Sequence, residues 1–219
     1  SIPYRRALED GCDKVIVILT RPKEYRKTTD TSTRLAMRRY AKYMRDQVTE
    51  LLTGYGPVHC IWLDGEWDHN RTTGFDWRLG DFYDHVHALQ PACLVGNNSH
   101  ENLLDGEDFQ IWEINYPGGH AGQMNPRQTV VATNVPLECC WSTTDTAWGY
   151  NPDDAFETMT AKEIVHRLVR THVSGANLLL NVGPAPDGTI PAPVLERLAA
   201  VGDWLGTYGD TVFGTDPSP

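Results

Sequence analysis

The sequence predicts an α/β chain: a (β/α) barrel resembling a TIM barrel, incomplete at about five or six strands, in a single domain over residues 1–219. Three observations point there. Short apolar runs alternate with amphipathic helical patterns. The first run, Lys14-Val-Ile-Val-Ile-Leu-Thr20, is β-branched and uninterrupted by polar residues, as a strand covered on both faces requires. No internal repeat, low-complexity stretch or Pro/Gly-rich linker divides the chain. A doubly wound sheet is the second choice, weakened because no GxGxxG or GxxxxGK[ST] loop follows the first strand.

The elements follow in order. After the strand at 14–20, residues 32–52 carry Leu35, Met37, Tyr40, Tyr43, Met44, Val48, Leu51 and Leu52 at three- and four-residue steps, an amphipathic helix stopped by Gly54 and Pro57. Residues 58–63 read as the next strand, ending at Asp64-Gly65, then 79–89 as a helix and 92–96 as a strand. Residues 109–114 and 129–132 are shorter strand candidates. A helix over 161–172 opens after Thr158-Met-Thr160, a strand occupies 176–182, and 191–205 forms the closing helix, with Pro193 near its first turn.

Composition narrows the function. Nineteen Lys and Arg against 29 Asp and Glu leave a net charge of −10. There is no basic run on which a nucleic acid could release its counterions, so no nucleic-acid partner is expected. No segment approaches the roughly 20 apolar residues of a membrane span. The first residues, SIPYRRALEDG, have no apolar signal-peptide core, and no compartment is assigned. The cysteines, Cys12, Cys60, Cys93, Cys139 and Cys140, show no CxxC and no zinc spacing, so neither a disulfide framework nor a metal is expected, and Cys60 and Cys93 read as buried thiols. Seven Trp and nine Tyr either fill cores or offer the aromatic faces that suit a sugar.

In parallel α/β folds, reactive side chains project from the C-terminal ends of strands. Asp64 directly follows an apolar strand and precedes Gly65; it is either a reactive carboxylate or a cap for the next helix. Glu113, between Trp112 and Ile114, and Glu138, in Pro136-Leu-Glu-Cys-Cys-Trp141, are two further carboxylates in apolar surroundings. Paired carboxylates with nearby Trp suit glycoside chemistry.

An ordered set of motifs makes this specific: Tyr55-Gly-Pro-Val-His-Cys-Ile-Trp-Leu-Asp-Gly65, Gly96-Asn-Asn-Ser-His100, Gly106-Glu-Asp-Phe-Gln-Ile-Trp-Glu113, Pro136-Leu-Glu-Cys-Cys-Trp141, Ala147-Trp-Gly-Tyr-Asn151 and Asn177-Leu-Leu-Leu-Asn-Val-Gly-Pro-Ala-Pro-Asp-Gly-Thr-Ile190. Together they resemble the retaining α-L-fucosidases of glycoside hydrolase family 29, over roughly residues 14–214. The resemblance implies that Asp64 is the nucleophile and Glu113 the acid/base, with Glu138 in reserve for that role or lining the site. It also implies that Trp62 lines the fucose pocket, that Trp148 packs on the C6 methyl and that His100 is a polar pocket residue. Read as structure alone, Trp148 fills core and His100 is a solvated loop histidine. No cofactor is implied, and the partner is a fucosylated oligosaccharide or glycoconjugate. Asp64 would attack as an anion while Glu113 donates its proton, with Trp112 and Ile114 favouring the protonated form if they flank the carboxyl. Retention calls for carboxyl groups about 5–5.5 Å apart.

The pattern also departs from the family. Relatives carry earlier barrel strands with a His-His pair that holds fucose hydroxyls, and no His-His dipeptide occurs here. The chain reads as the C-terminal part of such a barrel, compact by nature or a fragment. Three expectations follow: an exo-acting α-L-fucosidase; an inactive or weakly active fucose- or glycan-binding relative; or a retaining glycosidase of altered sugar preference. A partial barrel has open edges, so a two-fold homodimer covering them is also expected.

Overall fold

The computed structural model describes residues 16–19, 34–65, 76–119, 127–144, 148–151 and 158–215. Cys12, the polar segment 21–31, and the flanks of the first predicted strand lie outside these residues. The chain divides into two compact units, Ser1–Gln110 and Ile111–Pro219.

In the first unit the order is β1 (Ile16–Leu19), α1 (Arg34–Gly54), β2 (Cys60–Asp64), α2 (Leu79–Leu89) and β3 (Leu94–Asn98). The sheet order is β1-β2-β3, and both pairings are parallel. Alternation along β2 sends Ile61 and Leu63 into a core with Val48 and Leu52 of α1 and Phe82 and Val86 of α2. Trp62 and Asp64 therefore stand on the face away from the helices. Gln90 fastens the layers: its Nε2 donates to the carbonyls of Leu52 (2.6 Å) and Gly56 (2.9 Å), and its Oε1 accepts from Val58 N–H (2.8 Å).

The Gly-Glu-Asp-Phe motif braces β3. Asp108 Oδ2 accepts from Val95 N–H at 2.7 Å and lies 2.9 Å from His87 Nε2, while Asp108 N–H donates to the Val95 carbonyl. Tyr83 donates to Glu107 Oε1, and Asn97 Nδ2 donates to the Tyr83 hydroxyl, both at 2.9 Å. These two acidic residues are occupied holding a strand, which fits their place on the helix side.

The second unit comprises β4 (Gln110–Glu113, starting at the boundary), β5 (Leu137–Ser142), α3 (Ala161–Val173), β6 (Ala176–Asn181) and α4 (Ala192–Tyr208), closed by a 3₁₀ turn, Gly209–Thr211. The sheet order is β4-β5-β6, with β5 and β6 parallel from Leu137↔Ala176 to Ser142↔Asn181. Trp112, Leu137, Cys139, Trp141 and Ala176 form its core, and Arg167 of α3 stacks 3.8 Å over the Trp141 ring. Helix α3 opens on a capping box: Glu163 N–H donates to Thr160 Oγ1 (3.2 Å), and the Glu163 carboxylate accepts from Thr160 N–H (2.7 Å).

Parallel β–α–β order is as expected. Among the described residues, however, the six strands form two three-stranded sheets and not a closed barrel. One strand was misplaced. Residues 129–132 are irregular, with Val130 58% exposed, and the fifth strand is instead Leu137–Ser142. The third strand begins at Leu94, two residues later than the sequence pattern suggested. Cys60, Cys93, Cys139 and Cys140 are buried free thiols. Burial pushes Cys93 up to about 11 and Cys139 up to about 12, so both are inert at neutral pH.

Candidate active site

Each unit presents a carboxylate as the last residue of a strand. In the first, Asp64 ends β2 and is exposed. Its Oδ1 accepts from Gly65 N–H at 2.7 Å and from Asn98 Nδ2 at 3.3 Å. The second contact follows from register, since parallel pairing sets Asp64 beside Asn98, the last residue of β3, on one face. Gly65 has φ +92°, the left-handed region that glycine enters at no steric cost. The capping alternative fails for α2, whose N-cap is Arg78.

Trp62 lies two residues back on the same face, 8% exposed and paired in register with Gly96. A Cβ on Gly96 would sit 2.1 Å from the Phe109 ring, so only glycine lets that ring close under the sheet. Asn97, Asn98 and Ser99 are buried, and His100 follows with φ +60° at partial exposure.

In the second unit, Glu113 ends β4 and is 9% exposed. Trp112 is fully buried in the helix-side core, so alternation puts Glu113 on the opposite face. This corrects the expected apolar sandwich: Trp112 points away from the Glu113 carboxyl. Ile114, next along, is 40% exposed with φ +48°. That conformation costs a β-branched residue of order 1–3 kcal/mol. Ile114 N–H is held by the Cys140 carbonyl at 2.9 Å.

Glu138 shares the face of Glu113, because its neighbours Leu137 and Cys139 belong to the helix-side core. It is the second residue of β5, four residue steps before the last residue of that strand, Ser142, a distance of roughly 13 Å. Its place favours a role in lining the face over one at the strand-end rim.

Trp148 is 39% exposed, so it does not fill core. Its carbonyl accepts from Asn181 Nδ2 at 2.8 Å, and the same nitrogen donates to Ser142 Oγ at 3.1 Å. A Cβ on Gly183 would meet the backbone of Gly149 and Tyr150 at 2.8 Å. Two motifs far apart in sequence thus lock together: Asn181 and Gly183 seat the Trp-Gly-Tyr-Asn loop over the ends of β5 and β6. Asn98, Asn181 and Gly183 were not singled out from the sequence. Their signal was present, as asparagines ending apolar strands and a glycine beyond one.

The first unit thus brings Trp62, Asp64 and Asn98 onto one face, with His100 just beyond β3. The second brings Glu113 and Glu138 onto one face, with Trp148 held at the strand ends. Among the described residues no group of three or more His, Cys, Asp or Glu side chains could hold a metal ion, and no helix is long and apolar enough to cross a membrane.

The family model described as Alpha-L-fucosidase matches residues 17–210. Tissue alpha-L-fucosidase of Homo sapiens is 31% identical over 175 residues, 78% of this chain and 34% of that protein. Among solved structures, alpha-L-fucosidase isoenzyme 1 from Paenibacillus thiaminolyticus is similar with a TM-score of 0.66 at 29% identity, over 90% of this chain and 44% of that one. Thermotoga maritima alpha-fucosidase, in complex with a mechanism-based inhibitor, gives a TM-score of 0.60 at 29% identity, over 82% and 36%. The chain spans about a third of the length of the curated relatives it matches.

Proposed function

The chain belongs to the alpha-L-fucosidase family, and on that premise we propose that it hydrolyses terminal α-L-fucosyl linkages of glycans with retention, by double displacement. The observation that carries this reading is the pair of strand-end carboxylates, Asp64 and Glu113, each on the face of its own sheet opposite the described helices, within the matched residues.

Asp64 attacks the anomeric carbon. The bond to the leaving oxygen breaks as the ester bond to Asp64 Oδ forms, and the Glu113 proton passes to the leaving oxygen. Glu113, now the base, takes a proton from water, whose oxygen displaces Asp64 from the anomeric carbon and restores the starting configuration. Asp64, exposed and accepting two hydrogen bonds on Oδ1, is the open carboxylate of the pair, and Glu113, 9% exposed, is the enclosed one. Trp62 and Trp148 supply apolar surface to the sugar, and His100 and Glu138 supply polar contacts.

Incubation with p-nitrophenyl α-L-fucoside tests the proposal. Release of nitrophenolate, with α-L-fucose as the first-formed anomer, is expected. No release from a chain with native circular dichroism overturns it.

A further inference from the structure

Three strand ends are followed by left-handed backbone: Gly65 after β2, His100 beyond β3 and Ile114 after β4. At Gly65 the conformation is free, and histidine tolerates it better than most side chains. Isoleucine is among the worst residues for it, because its branched Cβ crowds the carbonyl. Burial does not repay the strain. The Ile114 side chain is 40% exposed and joins none of the hydrophobic clusters of described residues. Glycine would make the same turn and keep the N–H bond to Cys140. The side chain must therefore serve something the backbone does not require.

We infer that Ile114 is a specificity-determining residue whose side chain meets the aglycone, the sugar joined to fucose through the scissile oxygen. The inference rests on the reading of Glu113 as acid. That acid must reach the oxygen linking fucose to the aglycone, and the Cα of the next residue is about 3.8 Å away along the chain. The exposed neighbour of the proton donor is thereby placed on the leaving-group side. An aliphatic side chain there recognises the C–H face of a pyranose, which is apolar, and does not discriminate among hydroxyls.

The test compares α-L-fucosyl fluoride, which has no aglycone and needs no proton donor, with a fucosyl disaccharide. Ile114→Gly and Ile114→Asn both tolerate the left-handed backbone, and thermal unfolding verifies that each folds. Expected is kcat/KM on the fluoride within about twofold of wild type for both variants, a loss of about tenfold on the disaccharide, chiefly in KM, and a near-normal ratio in Ile114→Val. An active wild type whose Gly and Asn variants lose both substrates equally, or neither, overturns the role of Ile114 while leaving the fucosidase reading intact. A folded wild type that cleaves neither substrate overturns that reading and this inference with it.

Discussion

The ends of β2 and β4 pose the same structural problem and solve it differently. At both, a carboxylate finishes an apolar strand on the face opposite the described helices and the chain then turns through positive φ. At β2 the carboxylate is exposed, gripped by Gly65 N–H and Asn98 Nδ2, and the turn residue is glycine. At β4 the carboxylate is buried and the turn residue is a strained isoleucine. The same position at the end of a strand therefore holds one carboxylate open to solvent and one enclosed. The more strained of the two turns follows the buried group.

Removing each carboxylate separates their roles most sharply. Asp64→Ala loses kcat by several orders of magnitude, and azide restores part of it by occupying the vacated space and attacking from that side. An Asp64→Ala chain near full activity breaks the comparison at its root. Glu113→Ala depends on the leaving group: fucosyl transfer from a nitrophenyl fucoside changes least, while natural glycosides lose about 10²- to 10⁴-fold. If Glu138→Ala shows that pattern and Glu113→Ala does not, their roles exchange.

Smaller effects probe what holds each face in shape. Gly96→Ala drives a Cβ into the Phe109 ring in the first unit, and Gly183→Ala drives one into the Gly149–Tyr150 backbone in the second. Each is expected to cost about 1–3 kcal/mol, read as a drop in the denaturation midpoint. Gly183→Ala also weakens fucoside binding, because it lifts the loop that carries Trp148. A Gly183→Ala chain with unchanged KM would separate that loop from the sugar.

The smallest effect belongs to α3. Thr160→Ala removes the N-cap and costs about 1 kcal/mol in thermal or urea unfolding. The backbone and hydroxyl hydrogen bonds from Thr160 hold the Glu163 carboxyl below its ordinary range. With a depressed folded pKa, the stabilisation is present above the unfolded value and fades as pH falls through the folded one. The Thr160→Ala deficit should therefore shrink in acid.

Much of this was legible in the sequence where one local signal dominated. Residues 79–89 combine apolar periodicity with sharp ends, and α2 occupies that span. Asp64 was visible because an apolar run stops dead at a carboxylate and a glycine. Strand β5 was not, because Leu-Glu-Cys-Cys-Trp-Ser has no β-branched residue and carries a charge. Residues 129–132 misled for the opposite reason: Val130 and Val131 suggest a strand, yet Gln128 ties the segment to the Ile111 carbonyl at 2.6 Å as an irregular stretch. The partners of the site were hidden because they depend on register. Nothing local announces that Asn98 meets Asp64, or that Asn181 holds the Trp148 carbonyl. Strain at Ile114 is silent in sequence, since isoleucine after a strand reads as more strand.

The central claim is that Asp64 forms a covalent bond to fucose. Incubation with 2-deoxy-2-fluoro-α-L-fucosyl fluoride slows hydrolysis of any glycosyl-enzyme, so that the adduct accumulates and peptide mass spectrometry locates it. The expected result is one adduct, on the peptide containing Asp64, absent from Asp64→Ala. A folded chain that forms none, or carries it on Glu138 or Glu113, contradicts the claim.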